Sequence, residues 1–139
     1  MIFYKIALFL FLIFIPYSSV IAQTQAAINA EAKTQFELSK QKLESVYIAI
    51  LNKYEDNPEF NSSLKKAQDT WLKFRDAHLD SVYPGKNKRS KYGSVYPSCV
   101  SILLVQLNNQ RIEQLRIWLD GTEEGDVCAG SIKLSSKLE

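Results

Sequence analysis

Residues 68–78, QDTWLKFRDAH, place a large aromatic side chain and a fixed cation at helical spacing. Residues three and four positions apart lie on one stripe of an α-helix, so Gln68, Trp71 and Arg75 share a face. Apolar residues continue this stripe back to Phe60, which predicts one long amphipathic helix. The stretch holds no nucleophile beside a base and no glycine-rich phosphate loop, so it predicts structure rather than chemistry.

Glycine and proline divide the rest of the chain into similar units. The stretches 25–57, 59–83 and 98–120 contain neither residue, and each is long enough for several helical turns. Their apolar residues recur at spacings of three and four, and no stretch sustains the alternation of a β-strand. We therefore predict an all-α protein, a small antiparallel bundle of three long helices with a C-terminal tail.

The ends of these helices carry recognisable signals. Asn57 followed by Pro58 is typical of a helix start, because the amide side chain can cap the first turn and proline suits its first position. The second helix should end before Pro84. Gly121 should end the third helix, because glycine is the residue most often found just after a helix C-terminus.

This topology would separate charge along the bundle axis. It brings the turn between the first two helices beside the end of the third, and it places the loop 84–97 at the opposite end. Such ends can steer a charged partner, although charged turns are also ordinary solvated surface. The partner-binding candidates are an acidic end (Glu55, Asp56, Glu59, Asp120, Glu123, Glu124 and Asp126) and a basic end (Lys86, Lys88, Arg89 and Lys91, with Tyr92).

The first 22 residues are predicted to be a signal peptide. Lys5 precedes the apolar run Ile6–Ile15, which suits the apolar region of a leader and is too short to cross a bilayer. Cleavage after Ala22 would leave one domain, residues 23–139, in a secreted or periplasmic protein without a membrane span. A retained membrane anchor is the alternative. Loss of Lys5 lowers the net charge from +2 to +1, which gives no reason to expect nucleic acid.

Cys99 and Cys128 are the only cysteines, and an even count in an exported chain suggests a disulfide. A helix from Cys99 to Asp120 would rise about 31 Å at ~1.5 Å per residue. The following residues reach at most about 26–29 Å at ~3.3–3.6 Å each. A bridge that straps the tail back along the bundle is therefore just feasible and is favoured. An intermolecular bridge and two separate thiols are the alternatives.

Three motifs in order carry a resemblance: QDTWLKFRDAH, then YGSVYPS at 92–98, then NQRIEQL at 109–115. Together they resemble the LprI-like family of small exported domains, named after a lysozyme inhibitor. The resemblance is strongest over 58–120. It implies a non-enzymatic protein that inhibits lysozyme-type muramidases by blocking their cleft. The positions that match the family pattern are Gln68, Trp71, Arg75, Asp76, Gly93, Ser94, Arg111, Glu113 and Leu115.

The chain departs from the family pattern at two cysteines. Many members resemble a pattern with one cysteine just after the Arg–Asp pair and another eight residues before the arginine of the later helix. His78 or Leu79 stands at the first of these positions, and Leu103 stands at the second. The family's disulfide pairing therefore cannot be transferred to Cys99 and Cys128.

The single residues of the matching helix are better explained by packing than by catalysis. Trp71 should be a core residue, because a large aromatic at helical spacing is usually buried. Arg75 should be structural, with Asp76 or Glu113 as its partner. His78 lacks a neighbouring nucleophile, and with Asp76 and Asp80 it falls on more than one helix face, so we predict no catalytic residue, metal or cofactor.

Two functions follow from these observations. In the first, the protein inhibits lysozymes, and its acidic end steers it to these commonly basic enzymes. In the second, it is an envelope interaction module whose basic loop, Lys86–Lys91, binds anionic cell-wall polymer or lipid.

Overall fold

A computed structural model describes the backbone of residues 17–135 and the side chains of residues 24–135. This part of the chain is all-α, as predicted, and contains four helices. They are α1 (Tyr17–Lys53), α2 (Pro58–Val82), α3 (Lys88–Tyr92) and α4 (Tyr96–Asp120). The short α3 is additional to the three long helices that the sequence predicts. The apolar run predicted for the leader lies outside the described residues, and no helix inside them combines the length and apolarity of a membrane span.

The helix ends match the sequence signals. The Asn57 side chain accepts a hydrogen bond from the Phe60 amide at 3.0 Å, and Pro58 occupies the first position of α2. The Tyr83 amide donates to the Leu79 carbonyl and closes the last turn of α2. Gly121 ends α4 with φ +81° and ψ −174°, a conformation that is essentially restricted to glycine.

The long helices α1 and α2 both pack along α4. The Asn29 side chain donates to the Ser94 carbonyl at 3.0 Å near the start of α4, and Lys53 donates to the Leu119 carbonyl at 2.8 Å near its end. These bonds show that α1 and α4 run in the same direction. The direction of α2 is opposite, because Phe60 at its start lies 5.9 Å from Trp118 near the end of α4.

The hydrophobic core lies where the end of α1, the start of α2 and the end of α4 meet. Burial of large apolar side chains is the main stabilising term, at roughly 1.5–3 kcal/mol for each. Phe60, Trp71 and Trp118 surround this core as partly buried rings. Its buried members are Leu43, Ile50, Tyr54, Leu64, Ile112 and Leu115.

Small polar side chains fill the other half of the α1–α4 contact. Asn108 is fully buried and donates from Nδ2 to the Ser39 hydroxyl at 2.9 Å. Ser98 and Ser101 are also buried there. Small side chains let two helices approach closely, and the buried Asn108–Ser39 bond favours one alignment of α1 along α4.

The C-terminal residues fold back on the bundle as a closed loop. Thr122 and Leu134 form an isolated parallel bridge. The Thr122 amide donates to the Lys133 carbonyl at 3.1 Å, and the Ser135 amide donates to the Thr122 carbonyl at 2.8 Å. We call residues 122–135 the tail loop. Its ends are close together, as in Ω-loops.

Candidate functional site

Trp71 lies within reach of two guanidinium groups. The central carbon of Arg75 is 5.7 Å from the ring centroid, and that of Arg111 is 5.8 Å from it. The ring also packs against the core, as its helical register predicts. Cations at this distance are attracted to the face of an aromatic ring. The tryptophan therefore joins α2 to α4 through both packing and electrostatics.

Arg111 is held by the amide of Gln68. Its Nε donates to Gln68 Oε1 at 3.0 Å, and its Nη1 donates to Gln114 Oε1 at 3.2 Å. Gln68 is only 8% exposed. Burial lowers the pKa of Arg111 from its ordinary value, because a low-dielectric environment disfavours the charged form. The buried amide thus orients a partly desolvated cation at the α2–α4 contact.

Of the two partners predicted for Arg75, Asp76 is the one observed. Nε and Nη2 of Arg75 donate to Asp76 Oδ1 at 3.0 and 2.8 Å. Glu113 instead accepts from Arg116 at 3.4 Å on an exposed part of α4. The Asp76 side chain is 64% exposed, so this ion pair contributes little to stability.

Gly93 and Ser94 form the turn that connects α3 to α4. Gly93 follows the last residue of α3 with φ +80°, and its amide donates to the Arg89 carbonyl. The Ser94 carbonyl accepts a hydrogen bond from the side-chain amide of Asn29 in α1. Most of the family positions therefore lie in two places: Gln68, Trp71, Arg75 and Arg111 at the α2–α4 contact, and Gly93 and Ser94 at this turn. Asp76 and Glu113 lie on exposed surface, and Leu115 lies in the core. The family positions do not form a single pocket.

A groove of about 410 Å³ runs between α1 and α2, because both helices pack on α4 more closely than on each other. We call it the side groove. Burial, Asp69 and Glu44 together raise the pKa of Tyr47, in that order of importance, because all three disfavour a negative phenolate. The lining residues are Lys40, Leu43, Glu44 and Tyr47 of α1, and Gln68, Asp69, Leu72 and Arg75 of α2.

The basic end is built around three tyrosines. Tyr83 meets Tyr92 and Tyr96 edge-on, each at 5.2 Å between ring centroids, and Tyr92 stacks on Tyr96 at 5.8 Å. The Tyr92 hydroxyl also donates to the Pro84 carbonyl at 3.1 Å. The segment predicted as a loop thus contains a helical turn, α3, that is fixed by aromatic packing.

The four cations of the basic end have different surroundings. Lys88 pairs with Asp80, and this hydrogen bond raises the pKa of Lys88. Lys91 donates to the Pro84 carbonyl at 3.3 Å. Lys86 and Arg89 form no ion pair with any residue that the structure describes. The positive charge available to a partner is therefore concentrated on Lys86, Arg89 and Lys91.

The acidic end contains two lysines that lower its negative charge. Lys133 donates to Asp56 Oδ1 and to the Lys53 carbonyl, both at 2.9 Å, and its ammonium lies 4.8 Å from the centre of the Tyr54 ring. The hydrogen bond from Lys133 lowers the pKa of Asp56. The Lys53 ammonium donates to the Leu119 carbonyl.

The acidic residues of the tail loop divide into structural and exposed side chains. Asp126 accepts from the Thr122 hydroxyl at 3.0 Å and from the Cys128 amide at 2.9 Å, so it shapes the loop. Glu123 and Glu124 are exposed and form no ion pair with the described residues. Asp120, the last residue of α4, is also exposed.

The predicted disulfide between Cys99 and Cys128 is wrong, because both cysteines are free thiols. Cys99 lies in the first turn of α4, whereas Cys128 lies in the tail loop at the other end of that helix. The prediction needed a stretched tail that runs back along the bundle. The tail instead closes on itself beside Tyr54, so about 30 Å of helix, at ~1.5 Å per residue, separates its base from Cys99.

Sequence reasoning missed the residues that fasten the tail. The Lys133 amide donates to the Tyr54 hydroxyl at 2.9 Å, and Trp118 Nε1 donates to the Ser131 hydroxyl at 3.1 Å. Tyr54 was recognisable as an apolar position at the end of the first predicted helix, stretch 25–57. The tail has no periodic pattern, and therefore gave no signal for Lys133 or Ser131.

The described residues offer no metal site. His78 lies beside Phe74 with 5.8 Å between ring centroids, and Asp80 is paired with Lys88. No group of three or more His, Cys, Asp or Glu side chains within residues 24–135 is placed to hold a metal ion.

Comparison with known proteins gives one match. The family model described as Lysozyme inhibitor LprI matches residues 18–115. This match is longer at its N-terminal side than the three motifs suggested, because it takes in most of α1. It ends within α4, before the tail loop begins. No curated protein and no solved structure matches the chain.

Proposed function

The chain belongs to the family of lysozyme inhibitor LprI, and from this premise we propose that it is an exported, non-enzymatic inhibitor of lysozyme-type muramidases. The observation that carries the proposal is the family match, which spans well over half of the chain. The predicted leader, residues 1–22, supports export to the periplasm or the outside of the cell. Lysozymes act there on the cell wall, so inhibitor and target would share a compartment.

Inhibition would follow from occupation of the substrate cleft. The buried surface of such a complex would come from fixed elements, because pre-organised surfaces lose less conformational entropy on binding. The acidic end meets this requirement, since Lys133 and Tyr54 fasten the tail loop to the bundle. Glu123 and Glu124 then project from a fixed base.

The charge of this end would steer the encounter with a basic lysozyme. The whole molecule has a net charge near zero, so attraction depends on the distribution of its charges. Exposed carboxylates without an ion pair among the described residues supply the negative potential. At the acidic end they are Glu55, Glu59, Asp120, Glu123 and Glu124, together with Asp126, which also accepts hydrogen bonds within the tail loop.

A turbidimetric cell-wall lysis assay tests the proposal. The purified protein should slow lysis by at least one of several lysozyme types when it is added in molar excess. Absence of protection across all types at a large excess would end the proposal.

A matched pair of variants tests the steering surface. Glu123→Gln with Glu124→Gln should weaken inhibition several-fold at low ionic strength and much less at high ionic strength, because salt screens exposed charges. Glu31→Gln with Glu113→Gln removes the same charge away from the acidic end and should leave inhibition within about twofold of the unmodified protein. Equal effects of the two pairs would exclude the acidic end as the steering surface.

A further inference from the structure

A second groove, of about 380 Å³, lies at the basic end between α1, α3 and the first turns of α4. We call it the basic-end groove. It is separate from the side groove and shares no lining residue with it. The residues that line it are Ala26, Asn29, Ala30 and Lys33 of α1, Arg89 of α3, and Pro97 and Ser101 of α4.

The charge of this groove is entirely positive. Lys33 and Arg89 are its ionisable lining residues, and none of the lining residues is acidic. Neither cation forms an ion pair with another residue of the described part of the chain. Two cations from different helices therefore face one cleft without a counter-charge.

Ser101 adds an unpartnered hydroxyl. The residue is only 8% exposed, and its hydroxyl forms no hydrogen bond within residues 24–135. The nearby Ser98 and Ser39 are also buried, but each donates to a backbone carbonyl, that of Val95 and that of Phe36. The hydroxyl oxygen is accessible from the groove that the residue lines, so it can donate a hydrogen bond to a ligand there.

The position of α4 strengthens the positive potential. Pro97 and Ser101 belong to the first turns of this 25-residue helix, and no side chain caps its N-terminus. The N-terminal end of a helix carries a partial positive charge. The Asn29 side chain gives one of its two N–H groups to the Ser94 carbonyl and accepts from Gln25, so Lys33, Arg89 and Ser101 are the lining side chains whose donors are wholly uncommitted.

We propose that the basic-end groove binds a phosphate group. Its three donors come from three different helices, and donors in such an arrangement can surround a tetrahedral oxyanion. Ala26 and Ala30 supply an apolar wall for the carbon side of a phosphate ester. Soluble phosphate esters and the headgroups of anionic lipids share this chemistry. The proposal is independent of lysozyme inhibition.

Calorimetric titration with glycerol 3-phosphate, in a phosphate-free buffer, tests the site. Arg89→Gln should raise the dissociation constant by about tenfold or more, and Ser101→Ala by about threefold or more. Lys86→Gln is the matched control, because it removes the same charge from the same segment outside the groove. It should change the constant by less than about twofold.

Three outcomes would overturn the proposal: no heat of binding, equal weakening by Arg89→Gln and Lys86→Gln, or unchanged affinity in Ser101→Ala. A sedimentation arm separates the two ligand sources by comparing phosphatidylglycerol vesicles with phosphatidylcholine vesicles. The site is assigned to a lipid headgroup if the protein binds phosphatidylglycerol vesicles, the Arg89→Gln variant does not, and the Lys86→Gln variant still does. Absence of vesicle binding, with the calorimetric pattern intact, assigns it to a soluble ester.

Discussion

Replacement of Gly121 by alanine should release the tail loop from the bundle. A Cβ at this position would lie 2.8 Å from the Cα and the amide nitrogen of Ser135 and 2.9 Å from the Lys133 carbonyl oxygen. Atoms of the backbone cannot move aside as a flexible side chain can. The alanine variant therefore has to displace the backbone of residues 133–135, which closes the tail loop.

Gly93 provides a matched control for this substitution. Its backbone angles, φ +80° and ψ −173°, are nearly those of Gly121, and both glycines follow the last residue of a helix. A Cβ on Gly93 would meet no atom within 4 Å. Both alanine variants suffer the same backbone strain, about 1–3 kcal/mol in this glycine-restricted region. Only the Gly121 variant also loses contacts of the tail.

The difference between the two variants follows from three hydrogen bonds. These bonds hold residues 133–135 against the bundle. The Thr122 amide donates to the Lys133 carbonyl, the Ser135 amide to the Thr122 carbonyl, and the Lys133 amide to the Tyr54 hydroxyl. Each bond contributes about 0.5–1.5 kcal/mol net, and release of the tail restores some chain entropy. We expect Gly121→Ala to lower the free energy of unfolding by about 2 kcal/mol more than Gly93→Ala.

Urea denaturation of both variants measures this difference, and amide hydrogen exchange locates it. The Lys133 amide should lose its protection in Gly121→Ala and keep it in Gly93→Ala, because its acceptor is the Tyr54 hydroxyl. Equal denaturation midpoints for the two variants, or a Lys133 amide that stays protected in both, would refute the reasoning.

Three further predictions concern other contacts. Gln68→Ala should destabilise the protein by about 1.5–3 kcal/mol in urea denaturation, because it removes the acceptor of a partly buried guanidinium. Thiol labelling of the denatured, unreduced protein should find two free thiols, and in the folded protein exposed Cys128 should react faster than half-buried Cys99. The lowered pKa of Asp56 stabilises the folded state above the ordinary carboxyl pKa, and this contribution disappears as the pH falls through the lowered value. Lys133→Met should flatten the dependence of the melting temperature on pH in this acidic window.

Each of these predictions has a control or a contradicting result. Gln106→Ala changes the same type of residue at an exposed site of α4 and should shift stability by less than about 0.5 kcal/mol. Fewer than two labelled thiols in the denatured chain would show that a disulfide forms. An unchanged pH profile in Lys133→Met would show that Asp56 owes its lowered pKa to another group.

Helix positions were predictable because their signals are local. A capping amide followed by proline marks the start of α2, and Gly121 marks the end of α4. The apolar spacing likewise placed Trp71 against the core. The five-residue α3 was missed because it is too short to display a helical period, and its packing depends on three tyrosines.

The candidate sites were less predictable than the helices. The sequence placed charges at the two ends but could not show which of them are neutralised. Lys133 reaches Asp56 across 77 positions of sequence, and Lys53 bonds a carbonyl 66 positions away. The basic-end groove depends on Lys33 and Ser101. Neither residue belongs to a sequence motif, and only the tertiary structure places them beside Arg89.

By itself, the sequence determined the helical class, both ends of α2, the end of α4 and the family, because periodicity, caps and ordered motifs are properties of short stretches. Only the tertiary structure decided the pairing of Gln68 with Arg111, the closure of the tail loop and the separation of the two cysteines. These features depend on contacts between distant parts of the chain, where burial and hydrogen-bond geometry select one partner among many of similar chemistry.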